Sequence, residues 1–69
     1  MAQISITLNG ETRDVPSEST IATLVDFLSL PEQRIAVEHN NKVVRRVDWP
    51  RTSVQTSDRI EVVHFVGGG

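Results

Sequence analysis

Apolar and polar residues alternate near the start of the chain: Ile4, Ile6 and Leu8 against Gln3, Ser5 and Thr7. A period of two is that of a β-strand with one buried face. Asn9-Gly10 follows, a pair that tolerates the positive φ angles of a tight hairpin turn. The spacing predicts a second strand, Glu11 to Val15, ended by Pro16, which has no N–H to give a ladder. The period then changes. Ile21, Leu24, Val25 and Leu28 recur at i, i+3, i+4 and i+7, one apolar stripe on a helix. Ser17, Ser19 and Thr20 are capping candidates ahead of it, and Pro31 requires the helix to stop before it. A helix this short is marginal alone, so its stripe must dock on the strands.

Strand patterning returns at Ile35 to Glu38, then Asn40-Asn41 marks a second turn and Lys42 to Val44 a short strand. Val47 to Arg51, with Trp49-Pro50, reads as an irregular turn or a single helical turn. Ser57-Asp58 is a further turn, and Arg59 to Val66 is the last strand, rich in Val, Ile and Phe. The order is strand, strand, helix, strand, strand, strand. It predicts an α+β fold, a mixed sheet of about five strands with one main helix packed on one face. With the first and last strands parallel at the centre, this is a β-grasp. A domain over residues 1–66 and a flexible Gly67-Gly68-Gly69 tail are expected.

Composition narrows the chemistry. A chain of 69 residues is one domain with a thin stability margin. It has no cysteine, hence no disulfide, thiolate ligand or thiolate nucleophile. The core must come from aliphatic residues, with only one Trp and two Phe to add bulk. A net charge of −2 argues against a nucleic-acid partner, which usually shows as a basic patch. No apolar run approaches the ~20 residues of a membrane span, and Met1 to Thr7 does not read as a secretory signal. The expectation is a cytoplasmic protein, monomeric when free.

Few residues carry candidate chemistry of their own. His39 and His64, without cysteine or a carboxylate motif beside them, make a weak metal pair and read as a turn residue and a strand residue. Asp58 reads as the residue that holds the turn before the last strand. Glu11 and Asp14, three apart on a strand, face opposite sides and read as solvated edge charges. Trp49, with Pro50, is expected to cover one end of the core. Arg45, Arg46 and Arg51 form a basic cluster, either a solvated patch or a second partner contact. There is no nucleophile motif or internal phosphate loop, and a chain this small is expected to lack a ligand-sized pocket. An enzyme is therefore the weakest reading.

The predicted order, with the ending Ile60-Glu61-Val62-Val63-His64-Phe65-Val66-Gly67-Gly68-Gly69, resembles the ThiS family, ubiquitin-like sulfur carriers of thiazole (thiamine) biosynthesis. The resemblance extends to Asn9-Gly10, Val37-Glu38-His39-Asn40, Val43-Val44-Arg45 and Asp58. Many relatives have Gly just before that aspartate, where this chain has Ser57. The resemblance implies that a ThiF-like enzyme uses ATP to adenylate the Gly69 carboxylate. A sulfur donor protein then converts it to a thiocarboxylate, and a ThiG-like thiazole synthase takes the sulfur. The carrier binds no cofactor and catalyses nothing. Small molybdopterin synthase subunits share the fold and the Gly-Gly end.

A tail without side chains suits passage through a narrow channel to ATP, and glycine leaves it mobile. In the last strand Ile60, Val62 and His64 are expected to face the helix. Val63 and Phe65 then lie on the outer face, where with Val66 they are expected to anchor partners. Two alternatives remain: a protein modifier whose activated terminus joins a lysine, and a β-grasp binding module whose tail does nothing.

Overall fold

The computed structural model describes residues 2–65. Strands β1 (Gln3–Leu8) and β2 (Glu11–Pro16) form the expected hairpin, and helix α1 runs over Ile21–Phe27. Strands β3 (Ile35–His39) and β4 (Lys42–Val44) form a second hairpin, and β5 (Arg59–His64) closes the fold. Short 3-10 helices occupy Glu32–Arg34 and Arg46–Arg51. The sheet order is β2-β1-β5-β3-β4. β5 lies parallel to β1, through Thr7↔Arg59 and Leu8↔Ile60, and antiparallel to β3. This is the mixed five-strand sheet and ubiquitin-like β-grasp that the pattern predicts.

Alternation decides what goes inside. Ile6, Val15, Ile21, Leu24, Val37 and Ile60 are the largest fully buried side chains, and they come from both halves of the chain. Each removes an aliphatic side chain from water, about 1.5–3 kcal/mol per residue. Trp49 is buried too, and its indole N–H donates to the Val44 carbonyl at 3.0 Å. It belongs to the core cluster, while Pro50 beside it is exposed.

The helix has only 7 residues and depends on its ends. Thr20 caps it: its hydroxyl accepts from the Thr23 N–H at 3.2 Å, and the Thr20 N–H donates to the Thr23 hydroxyl at 2.8 Å. The preceding turn is held by the Ser19 hydroxyl, which donates to the Pro16 carbonyl at 2.6 Å. Ile21 N–H to Thr52 and Val54 N–H to Ser19 tie the helix start to the segment before β5. The helix ends ahead of Pro31, as predicted, because Ser29 turns left-handed at φ 56°.

Turn chemistry explains the remaining loops. Asn9 and Gly10, at φ 50° and 84°, and Asn40 and Asn41, at 51° and 73°, tolerate the left-handed region their hairpins need. Ser57 sits there too, at φ 70°, without that tolerance. A Cβ at this angle is strained. Ser57 is exposed and its N–H bond to Ser5 involves only backbone. Ser57→Gly should therefore stabilise the fold by about 0.5 kcal/mol, the strain relieved less the extra chain entropy of glycine. Denaturant unfolding checks this; a loss of stability would contradict it.

Candidate functional site

β5 leads the chain toward its end, so its two faces and two flanks define the candidate site. On the inner face Ile60 and Val62 are buried. His64 shares that face, opposite Ile35 in the ladder, but is exposed, contrary to the sequence expectation that it packs under the helix. Length gives the reason. A seven-residue helix is about 10 Å long, whereas a six-residue strand is about 20 Å. The helix cannot cover the whole strand. The strand ends at His64, ahead of Phe65, which the sequence pattern predicts within it, although the Phe65 N–H still bonds to Arg34 at 2.8 Å.

The outer face carries no helix. Val63 is 53% exposed and Phe65 58%, and on β4 Val43 is 69% exposed. The register sets Ala36 beside Val63 and Glu38 between Glu61 and Val43. Glu38 and Glu61 therefore face each other directly, a like-charge arrangement that costs about 0.2–1 kcal/mol in a sheet. Apolar side chains exposed together beside paired carboxylates do nothing for the isolated fold. Such a surface suits contact with another molecule. Val66, Gly67, Gly68 and Gly69, named from the sequence as anchor and tail, lie outside the described residues.

One flank of β5 is covered by β3 along its length. On the other, β1 stops at Leu8. Asn9 takes over: its side-chain oxygen accepts from the Val62 N–H at 2.8 Å, and its amide nitrogen donates to the Val62 carbonyl at 3.4 Å. The sequence reading assigned Asn9 to the turn alone. Its second role had no local signal, because Val62 is 53 residues away.

At the other end of β5 a polar cluster holds the strand's start. Asp58 is buried; one carboxylate oxygen accepts from the Gln55 N–H at 2.8 Å and lies 2.6 Å from His39 Nε2. The other oxygen accepts from the Asn40 amide at 3.2 Å, and Asn40 in turn accepts from the Arg59 N–H at 2.9 Å. Burial alone would raise the Asp58 carboxyl, but the hydrogen bonds from Gln55, His39 and Asn40 outweigh it and hold the group below its ordinary value. Asp58 is thus the turn-holding residue expected. His39 is not a turn residue, since it ends β3 and pairs with a carboxylate. Among the described residues no group of three or more His, Cys, Asp or Glu is placed to hold a metal.

Arg45, Arg46 and Arg51 are exposed around the second 3-10 helix, and none of them makes an ion pair among the described residues. Glu11 and Asp14 are exposed on edge strand β2. The expectation that so small a chain lacks any ligand-sized hollow fails on size. A groove of about 440 Å³ is lined by Ala2, Gln3, Pro16, Ser17 and Glu18. It opens at the start of β1, however, and parallel β5 runs away from that end. Among the described residues Glu18 is its only titratable lining residue. No described helix is long and apolar enough to cross a membrane.

A family model described as "ThiS family" matches residues 6–69. The chain is 39% identical over 66 residues to a protein named "Thiazole synthase" from Magnetococcus marinus, covering 96% of this chain but only 20% of that protein. It is 34% identical over 65 residues to "Sulfur carrier protein ThiS" of Bacillus subtilis, covering 90% of this chain and 96% of the relative. Its fold is similar to the crystal structure of a thiamine biosynthesis protein (ThiS) from Geobacter metallireducens. That likeness has a TM-score of 0.85 at 28% identity and covers 96% of this chain and 100% of the other.

Proposed function

This chain belongs to the ThiS family, and on that premise we propose that it is a sulfur carrier of thiamine biosynthesis whose working group is the Gly69 carboxylate. The observation that carries the reading is the extent of the family match. It runs from Ile6 through Gly69, and so includes the three terminal glycines, which carry no side chain. The carrier catalyses no step itself.

The chemistry follows from what a carboxylate lacks. Its oxygen is a poor leaving group, so a sulfur nucleophile cannot displace it directly. A ThiF-like enzyme joins the Gly69 carboxylate oxygen to the α-phosphorus of ATP as pyrophosphate leaves. The donor protein's sulfur then attacks the carbonyl carbon. A C–S bond forms as the C–O bond to AMP breaks; with a persulfide as the donor's sulfur the product is an acyl disulfide, and a thiol reductant then cleaves its S–S bond to free the thiocarboxylate. A thiazole synthase consumes it. That partner is supported by the relatives named for this activity, in which a stretch similar to this chain is part of the synthase itself.

Both partners must grip the same small body, and the uncovered sheet face next to the tail is the surface available for that. Val63 and Phe65 are its anchors. Val66, the next residue in the sequence, is the third proposed contact. Phe65→Ala should weaken binding to the activating enzyme and to the synthase by about tenfold each, the effect of removing one apolar anchor. The fold should be unchanged, because Phe65 is largely exposed. Titration calorimetry with each partner reads this, and unchanged affinity for both would reject the shared surface.

Intact-mass spectrometry of the protein from its own cell tests the whole reading. The carrier should gain the mass difference between a sulfur and an oxygen atom. Conjugates to lysines of other proteins would instead indicate a modifier. An end left unmodified after incubation with ATP and the activating enzyme would indicate a binding module.

A further inference from the structure

We propose that Asn9 is a positioning residue for the tail, its side-chain amide acting as one extra rung of the sheet that fixes the direction in which β5 delivers the chain toward Gly69. The inference rests on the sulfur-carrier reading. Backbone bonds join β1 to β5 at Thr7 N–H to Asp58 and at Asn9 N–H to Ile60, both 2.9 Å. The next rung on this flank belongs to Val62. No β1 backbone remains to supply it, because the chain turns back at Asn9-Gly10. A primary amide offers the same donor and acceptor as a peptide group. Asn9 uses both on Val62, at 2.8 and 3.4 Å.

Without that rung, β5 beyond Ile60 would be held on one flank only, by its pairs with β3. Those pairs keep Val63 in register, so docking through the outer face survives. What loosens is the direction of the strand end. Val62 stands seven residues before Gly69, and once the outer face is docked the end of β5 sets the point from which the chain starts toward ATP. Attack on ATP needs atoms about 3–3.5 Å apart and aligned.

The turn itself does not require the amide. Asn9 has φ 50°, which glycine adopts at no steric cost. Asn9→Gly therefore removes the rung and keeps the hairpin. Asn9→Asp also tolerates the turn; it still accepts from the Val62 N–H but sets a second oxygen against the Val62 carbonyl.

The test is hydrogen exchange of both variants, together with adenylation kinetics using a ThiF-like enzyme and ATP. In Asn9→Gly the Val62 amide should exchange at least about tenfold faster, while the Thr7 amide, bonded to the Asp58 carbonyl on the same flank, keeps its rate. The kcat for adenylation should fall about tenfold with KM within twofold, the signature of lost positioning rather than lost docking. Asn9→Asp should fall between Asn9→Gly and wild type, and it decides the matter if Asn9→Gly does not fold. Unchanged Val62 exchange, unchanged kcat, or an effect confined to KM would overturn the inference while leaving the carrier reading intact. A wild-type chain that the enzyme cannot adenylate would overturn both.

Discussion

A variant ending at Gly67 should fold as the full chain does and yet yield no acyl adenylate and no thiocarboxylate. Among the described residues the buried core runs from Ile6 to Val62, and the two glycines removed have no side chain to add to it. Their removal draws the terminal carboxylate back by about 7 Å, at some 3.3–3.6 Å per extended residue. The body remains docked where it was, so the acid falls short of the α-phosphate of ATP by twice the distance that separates reacting atoms. A misplacement of about 1 Å can cost a hundredfold, so the expected loss is at least about a thousandfold in adenylation. Binding to the activating enzyme should fall far less. Pyrophosphate exchange and intact mass measure the first, calorimetry the second. Growth of cells that depend on this carrier for thiazole would show that the terminal acid is not the working group.

Asp58→Ala should produce the largest loss of stability of any polar substitution outside the tail. The alanine abandons the Gln55 N–H, the Asn40 amide and the His39 ring at once, in a place where water is largely excluded. Each unmet or lost bond costs about 1 kcal/mol, more where the partner was charged, so the sum is about 2–4 kcal/mol. That is a large share of the stability of so small a domain and corresponds to a fall in Tm of about 15 °C. A fall equivalent to less than 1 kcal/mol would show that the cluster does not hold the start of β5.

The same residue sets a pH dependence of known sign. Its carboxyl titrates lower in the fold than in the unfolded chain, because the hydrogen bonds favour the ionised form over the opposing effect of burial. The unfolded chain therefore binds more protons in this range, and stability rises with pH. The Asp58 contribution is complete above the unfolded value of about 3.9 and is lost as pH falls through the lower folded one. Asp58→Asn should abolish this slope. The amide cannot satisfy all three donors, since Asn40 is pinned in orientation by the Arg59 N–H. The variant should thus be less stable than wild type at neutral pH and converge with it in acid. Parallel unfolding curves of the two proteins down to acid pH would contradict the assignment.

Most of the architecture is legible in the chain because it is written in short-range patterns. The alternation of Ile4, Ile6 and Leu8, the Asn9-Gly10 and Asn40-Asn41 turns, and the helical stripe from Ile21 to Leu28 each report on neighbours within a few residues. Element order then leaves few ways to bury those faces. The exposure of Val63 and Phe65 follows from the same alternation.

What the pattern does not contain is any relation between residues far apart. His64 carries the right parity to be buried, yet only the finite length of the helix, set by the left-handed turn at Ser29, leaves it in solvent. His39 and Asp58 are 19 residues apart, and neither signals the other until β3 and β5 pair. Val62 finds its partner in Asn9 because β1 ends one rung too early, a fact about two strands rather than about either sequence segment. By itself the sequence determined the elements, their faces and the bare glycine ending, since local sterics and hydrophobic period act along the chain. The tertiary structure alone decided which polar groups meet, since a hydrogen bond depends on distance in space and pays no regard to distance in sequence.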